Sequence, residues 1–357
     1  MTDTLPSPDR RRLLGMLASL PVFGRAGEVL AAPALGDVPF PDGATILVAG
    51  PDGGALERWA RAVQPALAQS LAPGTVVHQT AAGGADGVTG ANQFDTRVAP
   101  DGRTVLLTPG EAVLAWLVGD PRAKFDVGHW VPVMACVTPA VLMGRPAALA
   151  SGGPVRIATA HAAGPDLPAV LGVELLGGRA ELVPGVMEED AIQTAFAHGA
   201  VDAVLLRGHK VPDQARALSP AGVTPLFSLG MVDDTGHTQR CEAFPEVPYF
   251  AELYTARRGS EPAGPIFTAW RAAATAVQLE FGLVLPQLTP AAMVALWRSA
   301  GSQAADALDV QMMARALAVT PVGGPLATAS TAPVAANAAA LQALRKWLAS
   351  RFNWRPV

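Results

Sequence analysis

Two hydroxyl–imidazole pairs come nearest to nucleophilic chemistry in this chain: Ser228 with His237, and Thr159 with His161. A serine or threonine needs an adjacent base to take its proton, and the base needs a third group to hold its ring. Neither pair has that company. There is no Gly-x-Ser-x-Gly elbow, and the six histidines (78, 129, 161, 198, 209 and 237) are dispersed. Zinc chemistry has no better footing: His-Glu-x-x-His is absent, and neither Cys136 nor Cys241 has a second cysteine nearby. Gly83-Gly84-x-x-Gly87-x-x-Gly90 follows an apolar run, but it is not the Gly-x-Gly-x-x-Gly of dinucleotide sites, and no P-loop occurs. The sequence therefore predicts no catalytic residue, no metal and no cofactor. An exported α/β hydrolase built on one of the two pairs is the weakest reading kept open.

Binding has more support. Loops rich in Gly and Pro stand where strand patterns give way to helix patterns: Gly50-Pro51-Asp52-Gly53-Gly54, Ala81–Gly87, Thr108-Pro109-Gly110-Glu111, Thr159-Ala160-His161 through Gly164 to Asp166, and Gly185–Glu188. In an open parallel sheet such loops gather at the carboxyl ends of the strands, where ligands bind. The first amides of the following helices have no intrahelical acceptor and can hold a polar or anionic group. The nearby acids, Asp52, Glu111, Asp166 and Glu188, would repel a dianion unless they point away or pair with Arg207 and Lys210. The expected solute is therefore ammonium-bearing or neutral, or else an acid bound chiefly through Arg207.

These loops need a scaffold, and the chain alternates strand and helix signals. Apolar β-type runs occupy 44–49, 75–79 and 103–108, with helix patterns at 55–71 and 88–98; Leu56, Trp59, Val63 and Leu67 share one face of the first helix. The grammar repeats through strands at 154–159, 180–184, 201–206 and 223–229, with helices at 167–176 and 188–198. Residues 131–143 read as one long strand crossing between lobes. After Pro245 the pattern turns mostly helical, at 265–281, 290–301, 304–319 and 334–352. The 357 residues, half of them hydrophobic, are enough for more than one lobe. With a net charge of −4 and only three lysines, no basic stripe suits nucleic acid.

The first 34 residues differ in character. Arg10-Arg11-Arg12-Leu13-Leu14-Gly15 runs into an apolar stretch ending at Phe23, and Ala32-Pro33-Ala34 supplies the small residues of a cleavage site. This is the order of an export signal. The paired arginines and leucines resemble the twin-arginine type, with Asp9 where that motif has Ser or Thr. Export to the periplasm makes a Cys136–Cys241 disulfide one alternative, two separate buried thiols the other.

The order of five stretches resembles the Bug family, the receptors of tripartite tricarboxylate transporters. They are TILVAGPDGGALERWARAV, VVHQTAAGGADGVTGANQFDTRVAPDGRTVLLT, FDVGHWVPVMACVTPAVLMGR, LVPGVMEEDAIQTAFAHGAVDAVLL, and FPEVPYFAE with the later FGLVLPQLTPAAMVALW. The likeness spans most of residues 40–300. Departures are Pro51-Asp52 before Gly53-Gly54, the loop from Ala160 to Asp166 where the family is rich in Ser, Thr and Asn, Arg207-Gly208-His209 after its strand, and about twenty extra residues near Tyr254–Gln278. The resemblance implies an α/β, type II periplasmic-binding-protein fold: two lobes with mainly parallel sheets joined by two crossover segments. Lobe one would be residues 35–135 plus 245–357, and lobe two 136–244. It implies a monomeric receptor that closes around a small carboxylated molecule and offers it to a membrane permease. The expected contacts, from the loops and their charges together with the resemblance, are Gly50, Pro51, Asp52, Gly53, Gly54, Thr108, Pro109, Gly110, Glu111, Thr159, Ala160, His161, Gly164, Asp166, Gly185 and Arg207. The same receptor feeding a signalling partner is the alternative.

Overall fold

In the computed structural model, which describes residues 40, 43–150, 153–186, 188–208, 210–233 and 235–355, the first apolar run forms β1 (Ala44–Val48), buried at nearly every position. It is followed by α1 (Ala55–Ser70), β2 (Val77–Ala81), α2 (Val88–Arg97), β3 (Thr104–Thr108) and α3 (Gly110–Val118). β1 lies between β2 and β3 and pairs in parallel with both. A central parallel strand is covered on both faces, which is why its sequence is a continuous apolar run without alternation. The export-signal reading of residues 1–34 lies outside the described residues.

The segment expected as one crossing strand is two strands, β4 (Trp130–Val137) and β5 (Ala140–Gly144), in different sheets. Pro139 explains the break, since it has no N–H to continue a ladder. After β5 come α4 (Pro146–Ala150), β6 (Pro154–Ala158), α5 (Leu167–Leu175), β7 (Arg179–Val183), α6 (Glu189–Ala197), β8 (Ala203–Arg207), α7 (Val211–Leu218) and β9 (Thr224–Ser228). A short hairpin, β10 (Met231–Val232) and β11 (Thr238–Gln239), leads to α8 (Phe250–Arg258) and α9 (Pro265–Gln278). The chain then runs through β12 (Leu279–Pro286), α10 (Ala291–Asp306), α11 (Leu308–Ala316), β13 (Thr320–Gly323), α12 (Gly324–Thr331) and α13 (Ala338–Phe352).

One sheet has the order β13-β4-β12-β3-β1-β2, the other β7-β6-β8-β5-β9. The parallel pairs are those of β1 and of β6. β12 pairs antiparallel with β3 and β4, and β5 with β8 and β9. The helix expected over 265–281 stops at Gln278, and the next eight residues are a central strand. Leu279, Phe281, Leu283, Val284 and Leu285 are all buried. With both faces covered the run carries no period-two signal, so periodicity cannot tell it from the end of a buried helix. Both passages between the sheets are joined here: the Thr138 amide donates to the Gln278 carbonyl at 2.8 Å, and the Gln278 carboxamide donates to the Gly230 carbonyl at 2.7 Å.

Three packed cores hold these layers. One face of the six-stranded sheet closes on α1, α10 and α11 around Trp59, Phe281 and Trp297. One face of the five-stranded sheet closes on α6 and α7 around Phe196. The third core is continuous from Leu47 and Leu106 in the first sheet, through α3, α5, α9 and α13, to Val155 and Leu205 in the second. Helix α5 is apolar all round and buried from Leu167 to Val173, as a helix must be when it is covered on every side. Trp270 of α9 donates its indole N–H to the Pro168 carbonyl at 2.8 Å and stacks on Phe250 at 4.0 Å between centroids. From α13, Arg351 pairs with Glu174 at 2.8 Å, and Trp347 donates to the same carboxylate at 2.9 Å.

Candidate functional site

The loops that end β1, β3 and β8 converge on one cleft of about 320 Å³. From the first sheet it takes Pro51, Gly54, Ala55, Leu56, Ala85, Pro109 and Glu111; from the second, Arg207 and Gly208. Thr138 joins them from the passage between the sheets, and Val277, Leu279 and Glu280 from the α9–β12 junction. The position obeys the rule for open α/β sheets, with ligand-binding loops beyond the carboxyl ends of parallel strands. Helices α1 and α3 begin at this cleft, behind Gly54 and Pro109, whose extended conformations cap them. Their first-turn amides, Ala55 and Leu56, Gly110 and Glu111, have no acceptor within their helices.

Two glycines make the convergence possible. Gly87 starts α2 in the left-handed region at φ 78°, and a Cβ there would meet the Pro109 ring at 2.5 and 2.7 Å. Only glycine accepts both conditions. Gly110 lies so close to the Ala276 and Leu279 carbonyls that any side chain would strike main chain. The glycine-rich turn at 83–90 thus serves packing of the loop after β3, with no phosphate cradle needed to explain it.

Electrostatics in the cleft centre on one guanidinium. Arg207 donates to Glu111 at 3.2 Å, an ion pair that joins the end of β8 to the first turn of α3. Asp166, in the loop before α5, is 6 % exposed. Burial pushes its carboxyl above the ordinary carboxylate range; hydrogen bonds from the Thr159 hydroxyl and the Ala160 amide, and the charges of Arg207 and His161, pull it partly back. Glu280 accepts from the Trp59 indole N–H at 3.3 Å. The Thr138 hydroxyl, 3 % exposed, has no hydrogen-bond partner among the described residues. Among the described residues no three His, Cys, Asp or Glu side chains cluster to hold a metal.

No protein-family model and no curated protein matches the chain. Solved structures do. A TctC solute-binding protein from Polaromonas, determined without ligand, superposes with a TM-score of 0.63 over 85 % of this chain and 99 % of that one, at 18 % identity. The MatC protein of Rhodopseudomonas palustris with bound malate covers 87 % of this chain and 98 % of its own at 20 % identity and a TM-score of 0.46. A second R. palustris protein, with adipate, covers 86 % and 98 % at 16 % identity and 0.47. The Polaromonas likeness shows the fold: this chain has the two-lobed architecture of periplasmic binding proteins. Among the described residues, no helix is long and apolar enough to cross a membrane.

Of the residues singled out in the sequence, Pro51, Gly54, Pro109, Glu111 and Arg207 share the lining of the cleft. Asp52 and Gly53 are exposed in the same loop; Gly53 donates its amide to Glu57. Gly50 is covered by the Leu56 side chain and Gly110 by the α9–β12 junction. The Thr108 side chain faces a different, largely apolar pocket of about 120 Å³ that it shares with Trp130. Thr159, Ala160, His161, Gly164 and Gly185 are outside the lining. Thr159 and Ala160 support Asp166 from behind, His161 lies parallel to the Trp354 ring at 6.3 Å, Gly164 turns back on His161, and Gly185 stands in open space.

Glu280, Thr138, Leu279 and Val277 line the cleft without having been anticipated. A lone carboxylate inside the apolar run 279–285 was the available signal. The two hydroxyl–imidazole pairs are not assembled: the His237 ring bonds the Thr235 hydroxyl at 2.7 Å, the Ser228 hydroxyl is buried without a partner among the described residues, and the Thr159 hydroxyl reaches the His161 carbonyl, not its ring. Cys136 and Cys241 are both buried and free, with burial raising both thiols above their ordinary range.

Proposed function

We propose that this chain is an exported solute-binding receptor that captures a small polar molecule in the Glu111–Arg207 cleft and presents it to a membrane permease of the tripartite tricarboxylate type. The observation that carries the reading is the cleft itself, lined by loops from both sheets and bridged by one exposed ion pair. Main-chain amides at two helix starts, an unpaired buried hydroxyl and a few ionisable groups on apolar walls are the makeup of a small-molecule site. The volume also lies in the usual range for such a site, about 300–1,000 Å³. Structural likeness to a TctC solute-binding protein supports the same conclusion.

In this reading the lobes are the two sheets with their helices, and Thr138–Pro139 is one of the hinge points about which they close. No bond is made or broken. The receptor works as a monomer in the periplasm, delivered there by the signal in residues 1–34, with the twin-arginine route as the expected one.

A thermal-shift screen of small acids, amino acids, amines and amides tests the proposal, because a ligand that binds only the folded chain raises its melting point. At least one solute is expected to do so in wild type and to have its effect changed markedly, in either direction, in Arg207→Ala. A screen with no responder, or a responder indifferent to Arg207→Ala, would contradict the site. Recovery of the protein in the cytoplasmic fraction of cells expressing the full chain would contradict export.

A further inference from the structure

Resting on the reading of the cleft as a solute site, we infer that its solute carries a protonated amine and that Glu280 is the main partner of that amine. The ionisable groups of the lining are Glu111, Glu280 and Arg207, two acids against one base. The base is already engaged, since Arg207 donates to Glu111 at 3.2 Å and also feels the charge of Asp166 behind the cleft. Two acids near these loops have partners of their own, Asp86 with Arg122 at 2.8 Å and Glu57 with Arg61, while Asp52 is exposed and outside the lining.

Among the described residues Glu280 has no such cation. Its hydrogen bond among the described residues comes from the Trp59 indole at 3.3 Å, which leaves its second oxygen open to a ligand. Arg58 borders a neighbouring crevice together with Glu280, but its guanidinium donates to the Gly53 carbonyl at 3.2 Å. Thr138 belongs to the same lining, and its hydroxyl is buried and has no partner among the described residues. An ammonium offers three donors, which a carboxylate and a hydroxyl can accept, while its carbon chain packs on Leu56, Val277 and Leu279. A dicarboxylate would have to compete with Glu111 for Arg207 and sit beside an uncompensated Glu280, and like charges at close range disfavour both ionised forms.

The test is calorimetric titration of the full chain with three length-matched series. These are the dicarboxylates malonate, succinate, glutarate and adipate; the ω-amino acids β-alanine, γ-aminobutyrate, δ-aminovalerate and ε-aminocaproate; and the diamines of the same lengths. The tightest amine-bearing compound is expected to bind at least about tenfold more tightly than the tightest dicarboxylate, a gap of about 1.4 kcal/mol. Glu280→Gln should erase at least that factor for the amine and leave the dicarboxylates unchanged or improved. A dicarboxylate that matches or exceeds every amine overturns the inference and leaves the receptor reading standing. An amine whose affinity ignores Glu280→Gln overturns the role of Glu280. Binding by no member of any series overturns the inference, while the wider screen with Arg207→Ala decides the receptor reading separately.

Discussion

Where α3 faces the end of β8, the two sheets are linked by Arg207 and Glu111, side chains 37 % and 41 % exposed. Where α5 meets α9 and α13, the link is Trp270, Phe250 and Phe227 packed on Gly172, with the Glu174–Arg351 pair beside them. An exposed ion pair contributes about 0–1 kcal/mol and is screened by salt. A buried aromatic cluster contributes several times that through burial and ring packing. The contrast separates a contact that a solute can break from one that folding requires. On the proposed reading it also limits the motion: closure would bend the Thr138–Pro139 passage while α5 stays packed against α9.

Trp270→Ala should have the largest effect, lowering stability by about 3–5 kcal/mol in urea unfolding. A loss below about 1 kcal/mol would mean that the aromatic bridge does not bind the two sheets together. Gly110→Ala comes next. Its new methyl must displace the α9–β12 junction, at a cost of about 1–3 kcal/mol, and because that junction carries Leu279 and Glu280, weaker solute binding should accompany it. Arg207→Ala inverts the pattern, with a stability change below about 1 kcal/mol and a large change in solute affinity by calorimetry. A large stability loss there would erase the distinction between the regions.

The smallest effect is a pH dependence at Asp166. Burial holds its proton more tightly in the folded chain than in the unfolded one. The folded state therefore binds more protons than the unfolded state between the two pKa values, and this group's contribution to stability falls as pH rises from about 3.9 through the higher folded value. Asp166→Asn, which keeps a residue suited to a helix start, removes that loss. Relative to wild type, the variant's melting point should improve as pH is raised from about 4 to about 7; a difference independent of pH would show that the carboxyl is not penalised by burial.

The parallel half of each sheet was legible in the sequence because apolar runs, Gly/Pro loops and an amphipathic helix agree there, as at Ala44–Val48 and Trp59–Leu67. The loops after β1, β3 and β8 followed from the same logic. Of the antiparallel strands, β9 was expected, and β4 and β5 were expected as one strand, but β12 and β13 were not legible. β12 is buried on both faces and follows a helix without a turn residue, so nothing in residues 278–279 marks the change. Glu280 and Thr138 were missed for the same reason, because only β12 and the Pro139 break bring them to the cleft. Asp166 and the loop around it were expected at the ligand surface and sit one layer behind, since which side of a loop faces a cleft depends on packing of α5 against α9. The extra residues at Tyr254–Gln278, marked only by length, hold the end of α8 and all of α9, and so much of the bridge.

Hydrogen exchange with and without the tightest solute tests the division between the two regions most directly. Added protection should appear at residues 51–56, 109–111, 137–138, 207–208 and 279–280, with α8 and α9 unchanged up to Val277. Protection centred on Phe250–Trp270, or none in the loops that carry Glu111 and Arg207, would contradict it.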